Sequence, residues 1–216
     1  MEIRSLNVGL PQLVSNQQGQ VVKSGIRKKP VESAFLSKSG FQGDEVADQT
    51  NHGGDDRAVC FYPYEHYEQW NELVGRELPI PAFGENITIA QWPETEVYVG
   101  DIVEIGEAAV QITYGRIPCS KIDIFNRVNG MFYKVIQTGK TGYFARVLKE
   151  GNVWEDSPVI LAERLGSSIT IADLNHLFFF DRTNKPELER VAAIPELAED
   201  MRSRLKQLLD KVKTQK

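Results

Sequence analysis

The sequence predicts a strand-rich α/β domain followed by a small all-helical domain. Through the first three quarters of the chain, short apolar or alternating runs are each bounded by Gly, Pro, Asn or Asp, the pattern of β-strands. Near Gly166 the character changes, and apolar residues then recur at the three- and four-residue spacing of helices. With 216 residues, the chain can build one sizeable core, or one core with an appendage. The boundaries this reading gives are 1–165 for the first domain and 167–213 for the second.

In chain order the expected strands are 58–62, 87–89, 97–99, 102–105, 109–113, 143–148 and 159–162. Gly100-Asp101 and Gly106-Glu107 read as tight connections between consecutive strands. Two helices interrupt them. Over 64–73, Tyr67, Trp70 and Leu73 share a face with Val74, and Gly75 is a suitable stop. A second helix is expected over about 130–138, ending at Gly139. After Gly166, Thr170 and Asp173 resemble a capping box for a helix with Ile171, Leu174, Leu177 and Phe178 on one side. Asn184 with Pro186 opens the next, which buries Leu188, Val191 and Ala192. Pro195 opens the third, where Leu197, Met201, Leu205, Leu208 and Val212 form the apolar stripe.

Composition narrows the function classes. The chain is 41% hydrophobic and 25% charged, ordinary for a water-soluble domain, and its longest apolar run near the end, Leu177–Phe180, is far too short for a membrane span. Met1-Glu2-Ile3-Arg4-Ser5 lacks the pattern of a secretory signal, so a cytoplasmic location is expected. The formal net charge of −5 argues against broad attraction to nucleic acid or acidic membranes. Cys60 and Cys119 are too few and too distant for a disulfide framework or a C-x-x-C pair. His52, His66 and His176 show no metal-ligand spacing, so a metal would have to arrive inside a cofactor.

Three segments carry potential chemistry. In Tyr114-Gly115-Arg116-Ile117-Pro118-Cys119-Ser120-Lys121, Cys119 sits on a loop that ends an apolar strand, where functional residues are often displayed. Pro118 restricts the backbone at Ile117. If Arg116 and Lys121 lie close in space, they favour the thiolate, the form that binds a soft metal. A buried cysteine acting as a small hydrophobe is the other reading. In Asn51-His52-Gly53-Gly54-Asp55-Asp56-Arg57-Ala58, paired glycines can turn N–H groups inward for phosphate, with His52 and Arg57 flanking them. A plain turn into the next strand would use the same residues. Cys60, inside that strand, reads as a core residue. In Ala82-Phe83-Gly84-Glu85-Asn86-Ile87, Glu85 and Asn86 stand at a strand mouth and could bond a heterocycle's edge or cap a turn.

Three other patterns fail. Gly139-Lys140-Thr141 resembles the tail of a P-loop, but position 134 is Lys134 rather than Gly. Asn86-Ile87-Thr88 fits a glycosylation acceptor, which a cytoplasmic chain never uses. The last helix ends in bases but begins with Glu196, Glu199 and Asp200, the order its dipole prefers, so a solvated face is favoured over DNA contact.

Together these segments resemble the MOSC family, named for the C-terminal domain of molybdenum cofactor sulfurases. The matching pieces are His52-Gly53-Gly54 with Arg57-Ala58, Gly84-Glu85-Asn86, Gly100-Asp101, Arg116–Lys121 and Thr138–Gly142. The residues beyond 167 resemble the three-helix domain of one bacterial branch, similar to proteins that confer resistance to hydroxylaminopurine. The resemblance implies a MOSC-type distorted β-barrel with peripheral helices and a pterin-binding cleft. It implies that Cys119 ligates molybdenum, and that His52, Gly53, Gly54, Arg57, Glu85, Asn86, Arg116 and Lys121 bind the molybdenum cofactor in its molybdopterin form. The implied activity is reduction of small N-hydroxylated molecules, with electrons from a separate donor such as a flavoprotein. A persulfide carrier on Cys119 and a non-catalytic cofactor carrier are the alternatives.

Overall fold

The computed structural model describes residues 1–15, 19–164 and 169–214, with backbone alone for residues 51–52 and 213–214. The chain opens with β1 (Glu2–Val8), then β2 (Gln12–Ser15) and β3 (Val21–Ser24), β4 (Lys29–Pro30), β5 (Ser33–Ser37) and β6 (Gly40–Phe41). A short α1 (Gln49–His52) and a 3-10 turn (Asp55–Arg57) lead into β7 (Val59–Pro63), α2 (His66–Val74), β8 (Ile87–Ala90), β9 (Ile102–Ile105) and β10 (Ala108–Gly115). There follow α3 (Lys121–Asn126), α4 (Met131–Thr138), β11 (Tyr143–Lys149), β12 (Gly151–Trp154) and β13 (Val159–Glu163). The last elements are α5 (Ile171–Phe179), α6 (Lys185–Ala192) and α7 (Glu199–Thr214).

Eight strands form one curled half-barrel sheet in the order β13-β9-β10-β11-β7-β8-β1-β4. The β7–β8 pair is parallel because α2 and its following loop carry the chain back between them; the other pairings are antiparallel. Alternation along β7 divides the interior. Phe61 joins a large apolar cluster that also holds Ile87, Val110 and Tyr143, while Tyr62 joins a second cluster with Trp70, Phe83 and Met131. Each such fully buried side chain contributes about 1.5–3 kcal/mol.

The large cluster does not stop at the sheet. It continues through Ile171, Leu174 and Leu177 of α5, Leu188 and Val191 of α6, and Met201 and Leu205 of α7. Here the expected strand at 97–99 turns out otherwise. Val97 and Val99 are fully buried, but their backbones pair with the start of the helical segment: Val99 N donates to Ile169 O and Ile171 N to Val97 O. Only Tyr98 forms a bridge, to Thr170. Gly100-Asp101 is a connection, as expected, and it also anchors the end of the sheet. The fully buried Asp101 receives two hydrogen bonds from Arg164, at 3.0 and 2.8 Å.

Helix ends follow the sequence signals. Gly75 and Gly139 close α2 and α4 in the left-handed conformation. Thr170 Oγ1 accepts from Asp173 N, and Asn184 Oδ1 from Glu187 N. The third C-terminal helix begins at Glu199 rather than at Pro195. Helices α1 and α3, of four and six residues, are too short for periodicity to announce them.

Candidate active site

The loop after β10 carries Arg116, Pro118 and Cys119, and α3 begins at once with Lys121. The carbonyl of Cys119 accepts from Ile122 N at 3.1 Å, so the cysteine is held against the first turn of that helix. Arg116 N donates to the carbonyl of Gly142, and that close approach needs a glycine: at φ +73°, a Cβ there would lie 2.4 Å from Phe61 O. The Thr138–Gly142 segment therefore buttresses the cysteine loop from behind.

In front of the loop lies a cleft of about 800 Å³. It is lined by the segments 24–28 and 37–47, by the stretch from Gly53 to Ala58, and by Cys60, Gly84 and Asn86. Of the residues singled out from sequence, Gly53, Gly54, Arg57, Asn86, Arg116, Cys119 and Lys121 all reach this one cleft. The side chain of His52 lies outside the described residues.

Glu85 does not reach it, which corrects the expectation that it lines the cleft. It is fully buried on the other side of the strand, where its carboxylate accepts from Tyr67 Oη at 2.5 Å, Phe83 N and Thr88 Oγ1. Neighbours at the head of a strand point in opposite directions, so Asn86 and Glu85 cannot both face the ligand. Asn86 itself is engaged on every side. Its Oδ1 accepts from Cys60 N, and its Nδ2 donates to Asp44 Oδ2 and Asn7 O. It ties β7, β1 and the 42–47 loop together rather than offering a free edge.

Gly53 and Gly54 also divide their roles. Gly53 N donates to Gln49 O, closing α1, and a Cβ on Gly53 would meet Gln49 Oε1 at 2.3 Å. Only Gly54 adopts positive φ, at 108°. The inward-turned pair of amides expected from the sequence is thus reduced by one, because the helix uses it.

The cationic residues differ in how they are occupied. Arg57 donates from Nε to Tyr114 Oη, from Nη1 to Gly53 O at 3.3 Å, and from Nη2 to Asp200 Oδ2 at 2.5 Å. Burial opposes its charge, yet Tyr114 and Asp200 more than offset this, and its pKa is raised. Burial in turn pushes the Tyr114 hydroxyl up to about 12, with Arg57 pulling the other way. Lys28 is paired with Asp44. By contrast, Nη1 of Arg116 is buried with no hydrogen-bond partner, and Lys121 Nζ forms no hydrogen bond or ion pair among the described residues. Buried N–H groups are rarely left unsatisfied, and one that lines a cleft is a donor available to a bound anion or water. Burial pushes the Cys60 thiol up to about 11, opposed by Arg116, so this cysteine is protonated at neutral pH.

Sequence reasoning missed Lys28, Asp44, Tyr114, Asp200 and Arg204 as parts of this cleft. Only Tyr114 carried a signal, its place two residues before Arg116. The others come from segments remote in sequence.

The model of the MOSC domain matches residues 48–160, and that of the YiiM-like 3-alpha helix domain matches 169–212. The chain belongs to the MOSC family. MOSC domains are a molybdenum-cofactor-binding family that includes cofactor-associated reductases. The chain is similar to the YflK protein of Bacillus subtilis, 40% identical over 202 residues that cover 93% of this chain and 91% of that one. YiiM from Geobacillus stearothermophilus has the same fold, with a TM-score of 0.83 at 34% identity, covering 96% of this chain and 98% of that one. A Gibberella moniliformis protein named "Reductase" is 30% identical over 68% of this chain, a region that spans 27% of the fungal protein. Among the described residues no helix is long and apolar enough to cross a membrane.

Proposed function

We propose that this MOSC chain binds the molybdenum cofactor in the cleft and reduces small N-hydroxylated molecules, hydroxylaminopurine-like bases and hydroxylamines among them. The observation that carries the reading is the buried, unpartnered Nη1 of Arg116 on the same loop as the partly exposed Cys119. A protonated guanidinium N–H inside a cleft asks for an anion, and an oxyanion of a pterin phosphate is one that fits. Lys121 adds a second uncompensated charge, and the thiolate of Cys119 is a soft ligand suited to molybdenum. Cys119 would hold the metal, with Arg116 and Lys121 on the anionic end.

When bound, the cofactor supplies the two-electron reduction of an N–O bond. The balance is simple: the N–O bond breaks, an N–H bond and water form, and two electrons and two protons are consumed. The electrons come from a separate donor protein, such as a flavoprotein. The chain's part is to hold the hydroxyamino group toward Cys119 and to keep the rest of the molecule against the wall formed by Arg57 and Asp200.

Molybdenum and pterin content of wild type and Cys119→Ser, purified from a host able to make the cofactor, tests this. Both components in wild type, metal lost in the variant, and amine formed from a hydroxyamino base with a reduced viologen are the expected results. Full metal and full turnover in Cys119→Ser would refute the assignment.

A further inference from the structure

Helix α7 belongs to the segment that follows the MOSC domain, yet Asp200 and Arg204 on it line the cleft. One carboxylate oxygen of Asp200, Oδ2, accepts from Arg57 Nη2 at 2.5 Å and from Arg204 Nε at 3.1 Å. The other oxygen, Oδ1, accepts no hydrogen bond among the described residues, and the side chain is 39% exposed. Arg57 is by contrast nearly enclosed, at 10% side-chain exposure. Asp200 therefore stands at the rim with one face turned to the guanidinium and one acceptor left over.

We propose that α7 is the specificity element of this cleft, with Asp200 acting in two ways. It offsets the charge of Arg57, so that anion affinity is weighted toward Arg116 and Lys121 on the Cys119 loop. It also presents Oδ1 as an acceptor for the N–H donors of a neutral amino- or hydroxyamino-heterocycle. Arg116 and Lys121, with no ion-pair partner, are the cleft's open cations, whereas at Arg57 and Arg204 one carboxylate answers two guanidinium groups and leaves an acceptor over. A substrate bearing a carboxylate or phosphate gains less beside Asp200, because its negative charge meets that of the carboxylate. The recognition role rests on the cleft being the substrate site proposed above.

The test compares wild type with Asp200→Asn and Asp200→Ala. In the cofactor-free protein, inorganic pyrophosphate is titrated by calorimetry; releasing Arg57 should tighten its binding roughly fivefold in Asp200→Asn. The double variant Arg57→Gln/Asp200→Asn should lose part of that gain, the rest coming from the released Arg204. In the cofactor-loaded protein, KM for a neutral hydroxyaminopurine should rise about tenfold in Asp200→Ala while kcat and bound molybdenum stay within about twofold. KM for a carboxylated N-hydroxylated compound should fall in the same variant.

Unchanged pyrophosphate affinity in Asp200→Asn overturns the charge-offsetting role. A fall in kcat with KM unmoved, or no change in either, overturns the recognition role. Wild type without molybdenum or without N–O reduction would refute the functional reading and the recognition role together, while the pyrophosphate comparison still decides the charge-offsetting role.

Discussion

Arg57 and Arg116 open onto one cleft, but the first has its guanidinium engaged by Tyr114, Gly53 and Asp200 while the second keeps a buried Nη1 without a partner. The two cysteines are divided in the same way. Cys60 is buried, with its amide bonded to Asn86 and its thiol held protonated by burial, whereas Cys119 is partly exposed on a loop. Arg57 and Cys60 are finished by the fold; Arg116 and Cys119 are left open by it. An unsatisfied buried N–H costs about 1–3 kcal/mol, so a fold that keeps one in a cleft has placed its binding energy there. Motif membership alone does not separate these two kinds of residue, because Arg57 and Arg116 both lie in matched segments.

The two cysteines should differ most. Cys119→Ser should abolish molybdenum retention, whereas Cys60→Ala should retain metal and lose only stability. Metal analysis of both variants checks this, and metal lost equally from both would erase the distinction. A second effect follows from the Cys60 thiol. Its pKa is raised from 9.0 to about 11, so between those values the unfolded chain has released a proton that the folded chain still holds. Stability conferred by the protonated thiol is full below pH 9 and is lost as pH rises through 11. Wild type should therefore lose about 3 kcal/mol more than Cys60→Ala across that window, read from urea titrations at each pH.

The arginines give smaller and opposite responses. Arg57→Gln leaves Asp200 and Tyr114 short of a partner and should cost about 2 kcal/mol of stability by urea unfolding. Arg116→Gln removes a charge that pairs with nothing and should leave the unfolding midpoint unchanged or slightly raised. Its effect should appear in pyrophosphate binding by the cofactor-free protein, weakened about tenfold. If Arg57→Gln weakened pyrophosphate as much as Arg116→Gln, the engaged and open arginines would be equivalent after all.

The open residues are the legible ones. Arg116, Cys119 and Lys121 are consecutive enough that one loop must display them together, and Pro118 marks the loop. Asp44, Asp200 and Lys28 reach the cleft from segments far away in sequence, and no spacing rule joins them. Glu85 escapes sequence reasoning for a reason of geometry: a strand mouth says where the backbone goes, and the side chain's face depends on the register that β8 takes against β1 and β7. The segment 97–99 misleads because its buried valines look like a sheet pattern, while their partners are the first residues of the helical segment. Caps and stops depend only on neighbours in the chain, and Gly75, Gly139, Thr170 and Asn184 all stand where the sequence puts them.

The apolar cluster runs without a break from Phe61 and Val110 into α5, α6 and α7, and α5 is seated so closely that a Cβ on Gly115 would fall 2.1 Å from Asn175 Oδ1. The two segments matched by separate family models therefore share one apolar cluster, and a chain cut after Glu163 would leave Val97, Val99 and Tyr114 facing water. Any side chain at position 115 would have to displace Asn175, so the seating of the appended helices is set in part by a residue that lies outside them.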